Sequence, residues 1–333
     1  MFGPSRDIAT RKFIAGCPPQ HTPDSGWLQR EEAIMGTAIH VELWADDRVA
    51  GEAAMEAVMQ EMHRIDHAMS PHKPDSELSR INRDAATHAV RISSEMFQLL
   101  TRAAHFSQLS GGAFDITYAA VGRLFDYRLN TRPDPQALAQ AQQAVGYRHV
   151  ILDPHHQTVR FARPGVCIDL GGFAKGYAID NAAALLRRRG IAHANVSAGG
   201  DSRVMGDRRG RPWSIGIHDP RRPGEVVAVL PLEDTSISTS GDYERCFVEA
   251  GVRFHHLIDP ATGASPSCVQ SVTILGEDGL TTEAFSKCVF VLGVEKGMQF
   301  IESRPGLDAV VVDAHGMLHY STGLLAPGLQ TRK

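Results

Sequence analysis

Hydrophobic and polar positions along the chain change period several times. Between residues 34 and 44, Ile39, Val41 and Leu43 alternate with His40, Glu42 and Trp44, a period of two that predicts a half-buried strand. From 47 to 68 the period lengthens, and Met55, Met59, Met62 and Ile65 form one stripe of a helix. Methionines at helical spacing fill a core readily, so this stripe is read as packing and not as a cofactor box. A loop at Ser70-Pro71-His72-Lys73-Pro74 and a short helix to Asn82 follow, then helices over 94–109 and 134–145. Ile151–Asp153 and Thr158–Phe161 read as a hairpin around Pro154-His155-His156-Gln157. Val166–Leu170 reads as a strand leading through a Gly pair into a helix over 173–189, which Gly190 closes. The run Arg187-Arg188-Arg189 complements that helix's C-terminal dipole, so it needs no ligand to explain it. Residues 192–275 are mostly strands. Helices are predicted over 280–292 and 295–303, and a last hairpin over 308–320 around His315-Gly316.

These elements, with no internal repeat and no long linker, predict a single α+β domain over 26–333, built of antiparallel sheets and packed helices. Residues 1–25 read as a flexible polar leader. Ile14-Ala15-Gly16-Cys17 looks like the end of a lipoprotein signal, but only Phe13-Ile14-Ala15 separates it from Arg11-Lys12, far short of the ~7–15 apolar residues a signal needs. No stretch reaches the ~18 apolar residues of a transmembrane segment.

Composition then narrows the function classes. With 43% hydrophobic residues the chain has ample apolar surface to offset chain entropy. A net charge of −4 argues against a general nucleic-acid binder. Five cysteines, none in a CxxC pair, read as ordinary thiols, and the sixteen histidines include no HExxH and no zinc-type cluster.

Four polar segments remain as candidates for chemistry. Asp169-Leu-Gly-Gly-Phe-Ala-Lys175-Gly-Tyr-Ala-Ile-Asp180 could turn helix amides and Lys175 toward a phosphate, although it is neither a P-loop nor GxGxxG, and a tight turn with close packing explains it as well. Ser240-Gly-Asp-Tyr-Glu-Arg245 precedes Arg253-Phe-His-His-Leu-Ile-Asp-Pro-Ala-Thr-Gly263, where Arg253 could meet a phosphate and His256 could act as a base; the alternative is a hairpin closed by turn residues. Adjacent histidines on a strand point to opposite faces, so at most one serves a given site. In Gly111-Gly-Ala-Phe-Asp115-Ile-Thr117, Asp115 or Thr117 could simply cap the next helix. Glu283 and Lys287, four apart on a helix, have the order of an exposed ion pair.

The order and spacing of these segments resemble the ApbE-type flavin transferases, the FAD:protein FMN transferases. The resemblance is carried by Met35-Gly-Thr37, by Met69-Ser70 through Asp75-Ser-Glu-Leu-Ser-Arg-Ile-Asn82, by Ala113-Phe-Asp115 and by the Asp169–Asp180 segment. It continues through Ala198-Gly-Gly-Asp201, Ser238-Thr-Ser-Gly-Asp-Tyr-Glu-Arg245, His256-Leu-Ile-Asp-Pro-Ala-Thr-Gly263 and Phe290-Val-Leu-Gly293. It implies a bifurcated domain of T-fold type that binds FAD and Mg²⁺ and transfers FMN to a Thr or Ser hydroxyl of an acceptor protein, releasing AMP. It also implies export, which the N-terminal leader does not support.

Carried over by motif, Met35, His72, Ala113, Phe114 and Asp115 would line the flavin or adenine end of FAD, and Asp169, Lys175 and Ile258 would touch the nucleotide. His256 would be the base, and Gly172 would offer its carbonyl to the metal. His72 stands where the family often has Tyr. The family's metal-ligating Asp and Thr fall on Glu283 and Lys287, and a protonated lysine is no metal ligand. Lys287, paired with Glu283 and facing the diphosphate, is therefore expected to stand in partly for the metal and to share catalysis with His256. That departure keeps two alternatives open, a flavin carrier with little or no catalysis and an FAD pyrophosphatase.

Overall fold

In the computed structural model, which describes residues 25–325, the chain begins with strands β1 (Gly26–Ile34) and β2 (Thr37–Ala45) and helices α1 (Arg48–Met69) and α2 (Glu77–Asp84). Strand β3 (Val90–Arg91), helices α3 (Ser94–Leu109), α4 (Ala119–Gly122) and α5 (Pro135–Gln142), and strands β4 (Val150–Asp153) and β5 (Thr158–Phe161) follow. After α6 (Ala174–Arg188) come β6 (Ala194–Ala198), β7 (Asp201–Met205), β8 (Trp213–His218), β9 (Val226–Leu232) and β10 (Ser236–Gly241). The chain closes with β11 (Cys246–Glu249), β12 (Val252–His255), β13 (Val269–Gly276), α7 (Gly279–Glu302), β14 (Asp308–Asp313) and β15 (Leu318–Tyr320).

Eight strands form one antiparallel sheet in the order β1-β2-β6-β7-β10-β13-β14-β15. Helices α1, α6 and α7 cover one face of it. The hairpin β8–β9 covers part of the other, where Ile217 and Leu230 meet Ile237, Leu275 and Val310. Strand β13 is therefore buried along its whole length. A smaller sheet, β3-β5-β4, packs with α3 beside this layer. The fold is α+β with antiparallel sheets, as the pattern predicts. Among the described residues no helix is long and apolar enough to cross a membrane.

Two local readings change. The strand expected over 34–44 is the second arm of a hairpin whose first arm, Gly26–Ile34, the pattern does not reveal. The Gln-Arg-Glu-Glu run of that arm breaks the apolar period, because β1 is an edge strand anchored chiefly by Leu28 and Ile34. Val166–Leu170 is extended but pairs with no strand. The Asn82 side chain both accepts from the Ile168 N–H (2.8 Å) and donates to the Ile168 carbonyl (2.9 Å), and Asp169 N–H donates to the Ile116 carbonyl. The two last helices lie end to end within α7 and part at Gly293, as the pattern has them; its φ of +77° an L-residue adopts only under strain. The leader, apart from Ser25, lies outside the described residues.

Candidate active site

The site is built where α6 crosses the start of α7. A Cβ on Gly176 would lie 2.1 Å from the Gly279 carbonyl oxygen, so only glycine permits the crossing. Asp180, one turn on, accepts the N–H groups of Gly279 (2.8 Å) and Leu280 (3.0 Å), and so caps α7 from α6. The spacing Lys175-Gly176-Asp180 thus fixes Lys175 beside Glu283. Strand β10 meets α7 through paired hydroxyls, Ser238 with Thr282 at 3.1 Å and Ser240 with Ser286 at 2.7 Å, small groups that bring the helix close to the sheet.

Four charged side chains meet there. The Lys175 ammonium bonds to both Asp201 and Glu283. Glu283 is fully buried; its Oε2 accepts the Gly176 N–H at 2.7 Å, and its Oε1 also pairs with Lys287 Nζ at 3.2 Å. The exposed ion pair that spacing alone suggests is therefore an interior one. Burial works to strip the proton from Lys175, but Asp201 and Glu283 outweigh it and hold the ammonium above the usual lysine range. Burial, with Lys175 nearby, pulls Lys287 below that range, against the attraction of Glu283. Burial and the charge of Glu283 push Asp201 upward, and its Oδ1 is buried without a hydrogen-bond partner.

His255, the last residue of β12, and His256, just beyond it, meet different neighbours. His255 is buried, with its Nε2 2.8 Å from the Pro266 carbonyl. His256 is half-buried, its Nδ1 lacks a partner, and burial together with Arg245 and Lys287 brings its pKa down to about 3. Its backbone N–H donates to the Arg245 carbonyl, and Asp259 and Gly263 close the turn that follows. Arg253 instead faces Asp242 and Cys246.

Arg245 links this group to a second one. Its guanidinium lies 3.6 Å from where a Cβ on Gly36 would sit, and its charge, like that of His72, counters the burial that raises the carboxyl of Asp169. Met35 and Gly36 form the two-residue turn between β1 and β2, both at positive φ (55° and 71°), the requirement of a type I′ hairpin. A methionine in that conformation is strained, an expense hairpin turns usually avoid with Asn or Gly. Thr37 beside it packs on the Gly199 turn that presents Asp201, where a Cβ would come within 2.7 Å of the Thr37 hydroxyl.

Residues 113–115 support the site from behind. Phe114 is buried in a train of edge-to-face rings, Phe173, Phe114, Phe106, Phe285 and Phe300, with centroids 4.9–5.9 Å apart. Its ring is therefore committed to the core, and what residues 113 and 114 can offer a ligand is backbone. Asp115 accepts from the Thr117 N–H (2.8 Å), the Thr117 hydroxyl (2.6 Å) and the Tyr147 N–H (2.6 Å), which is the capping role that its spacing allows. Ile258 is buried beside Gly122. Gly172 packs on the Phe114 ring. Asp201, Arg245 and the serines of β10 escaped residue-level reading; only the Gly-Gly-Asp turn hinted at Asp201, since a carboxylate after a tight turn is fixed in direction.

A model of the ApbE family matches residues 35–311. The chain belongs to the ApbE family. It is 33% identical over 318 residues to the FAD:protein FMN transferase of Treponema pallidum, covering 89% of this chain and 87% of that protein. With the FAD:protein FMN transferase of Haemophilus influenzae it shares 33% identity over 283 residues, 81% and 82% of the two chains. The crystal structure of the ApbE protein of Thermotoga maritima superposes with a TM-score of 0.84 at 32% identity, covering 92% of this chain and 100% of that one. The flavin transferase ApbE of Vibrio cholerae gives 0.79 at 26%, covering 90% and 99%.

The resemblance also implies a divalent cation at Gly172, Glu283 and position 287, and the donors present do not fit one. Both oxygens of Glu283 are engaged by Lys175, Lys287 and the Gly176 amide, and an ammonium has no lone pair to give. Among the described residues no three His, Cys, Asp or Glu side chains cluster to hold a metal.

Proposed function

We propose that this chain is an FAD:protein FMN transferase that moves FMN from FAD to a Thr or Ser hydroxyl of an acceptor protein and releases AMP. The observation that carries the reading is the neutral His256 beside Arg245 and the ammoniums of Lys175 and Lys287, an acceptor of protons next to three cations. Such a group suits attack of a hydroxyl on a diphosphate. The hydroxyl oxygen forms a bond to the FMN phosphorus, the bridging P–O bond breaks, AMP leaves with that electron pair, and the hydroxyl proton passes to the imidazole. Catalysis of this kind is chiefly positioning and charge stabilisation. Met35, His72, Ala113, Phe114, Asp115, Asp169, Lys175 and Ile258 are assigned to the nucleotide on the family motif. Phe114 and Asp115 act through backbone and turn geometry, and the Asp169 carboxyl, which burial raises, feels both His72 and Arg245.

An imidazole with a pKa of about 3 is a weak base, but an incoming diphosphate offsets the surrounding cations and strengthens it. The acid limb of kcat, which reports the bound complex, is therefore expected at higher pH than that of kcat/KM, which reports the free protein. The decisive assay incubates the protein with FAD and a Thr-bearing peptide. Covalent FMN on the peptide with stoichiometric AMP supports transfer; free FMN plus AMP makes it a pyrophosphatase, and intact bound FAD makes it a carrier. His256→Asn is expected to slow transfer about 10²–10⁴-fold while FAD binding survives; an unchanged rate removes His256 as the base.

A further inference from the structure

The misfit between this donor set and a divalent cation has a positive content. We propose that the Lys287 ammonium takes the cation's place in this chain, as part of a metal-free, charge-neutral quartet with Glu283, Lys175 and Asp201, and that it meets the diphosphate of FAD directly. The proposal rests on reading the site as a flavin transferase.

Two ammoniums and two carboxylates sum to zero, so the interior is balanced without a metal. Glu283 is the shared counter-ion. One of its oxygens lies between Lys175 and Lys287 and the other accepts the Gly176 amide, so both oxygens are already engaged by three donors. A divalent cation would have to share it with two ammoniums already in place, and would leave a large positive excess in a buried space. Lys287 makes a single hydrogen bond, at 3.2 Å to Glu283, and its side chain is 18% exposed. Its remaining N–H donors are available to phosphate oxygens as charge-assisted hydrogen bonds. The role asked of it is electrostatic, and no bond to its nitrogen forms or breaks.

Asp201 sharpens the argument. One oxygen holds Lys175, while the buried Oδ1 has no partner. Replacing Lys287 by threonine would leave the group at −1, put a hydroxyl oxygen at 287 and take away one of the two ammoniums on Glu283 Oε1, while the Oδ1 of Asp201 stays without a partner. Those are the conditions under which a hard divalent cation binds oxygen ligands. A single residue would then decide between a built-in monovalent cation and a recruited divalent one.

The test is direct metal binding, read without FAD. The full-length protein, stripped with chelator, is titrated with Mn²⁺ and the free-ion electron paramagnetic resonance signal is followed. The wild type is expected to leave the signal unquenched. Lys287→Thr, and the double variant Glu283→Asp/Lys287→Thr, are expected to bind about one Mn²⁺ each, with circular dichroism confirming that they fold. In transfer assays the wild type should be indifferent to EDTA, whereas Lys287→Thr should lose about 10²-fold or more of activity in EDTA and recover it with Mg²⁺, the scale of one lost charge-stabilising group. Stoichiometric Mn²⁺ binding by the wild type overturns the proposal, as does failure of both variants to bind it. If no protein transfers FMN while the Mn²⁺ pattern holds, the functional reading fails and the metal-replacing lysine stands.

Discussion

Helix α6 carries two ionic networks that begin two residues apart. Lys175 belongs to the interior quartet with Glu283, Asp201 and Lys287. On the outer side, Tyr177 donates to Glu95, Asn181 donates to Glu61, and Arg64 of α1 pairs with both glutamates, to Glu95 through two bonds of 2.7 Å. The outer network ties α1, α3 and α6 together, with Arg64 about half exposed. Water can replace any of its bonds, so its geometry is good and its net worth small. In the quartet both carboxylates are out of water, and the desolvation cost of that arrangement is too large for it to be retained as glue. Of two networks on one helix, the expensive one marks the site.

The largest effect should follow from breaking the interior network at its hub. Glu283→Ala leaves two buried ammoniums with only Asp201 between them and an unpaired Gly176 amide. Removing one partner of a buried ion pair costs about 3–5 kcal/mol. Chemical denaturation should show that loss undiminished by 1 M salt, because the Debye length there is about 3 Å and the buried pair is already closer than screening ions can reach. A loss below ~1 kcal/mol would mean that water reaches Glu283 and the two networks are alike.

Much of this contrast is invisible in the sequence. Helix α3, the hairpins over 151–161 and 308–320 and the Gly190 and Gly293 helix ends follow from period and from glycine placement, because local sterics decide them. The Glu283–Lys287 spacing also reads correctly as an ion pair, but spacing says nothing about which side of a helix faces water. That depended on Gly176 admitting Gly279, a contact 103 positions apart in sequence that no window detects. Asp201 was hidden for the same reason, since its partner lies 26 residues upstream and across two elements. Phe114 shows the converse case. The motif places it at the nucleotide, and what no motif states is that its ring packs between Phe106 and Phe173, leaving backbone to face a ligand.

A smaller effect tests how the interior network is held. Gly176→Ala keeps every charge but puts a methyl 2.1 Å from the Gly279 carbonyl, so α6 and α7 must separate. Overpacking of this kind costs about 1–3 kcal/mol. The separation also draws Lys175 from Glu283, so transfer activity should fall further than the stability loss explains at a temperature where the variant is fully folded. A variant with wild-type melting would show that the crossing is loose and that the quartet needs no such clamp.

The smallest effect belongs to the outer network. Glu95→Gln keeps an acceptor for Tyr177 but removes the charge that, with Glu61, holds the Arg64 guanidinium above its ordinary pKa through paired hydrogen bonds. The expected cost is about 0.2–1 kcal/mol, measured by denaturation, and it should shrink toward zero in 1 M salt. Transfer activity should be unchanged, since the pair lies on the far side of α6 from Lys175 and is tied to α1 and α3. A salt-resistant loss above ~2 kcal/mol would mean that Arg64 is desolvated on folding. The two networks would then differ in degree only, and burial would no longer distinguish the site from the scaffold.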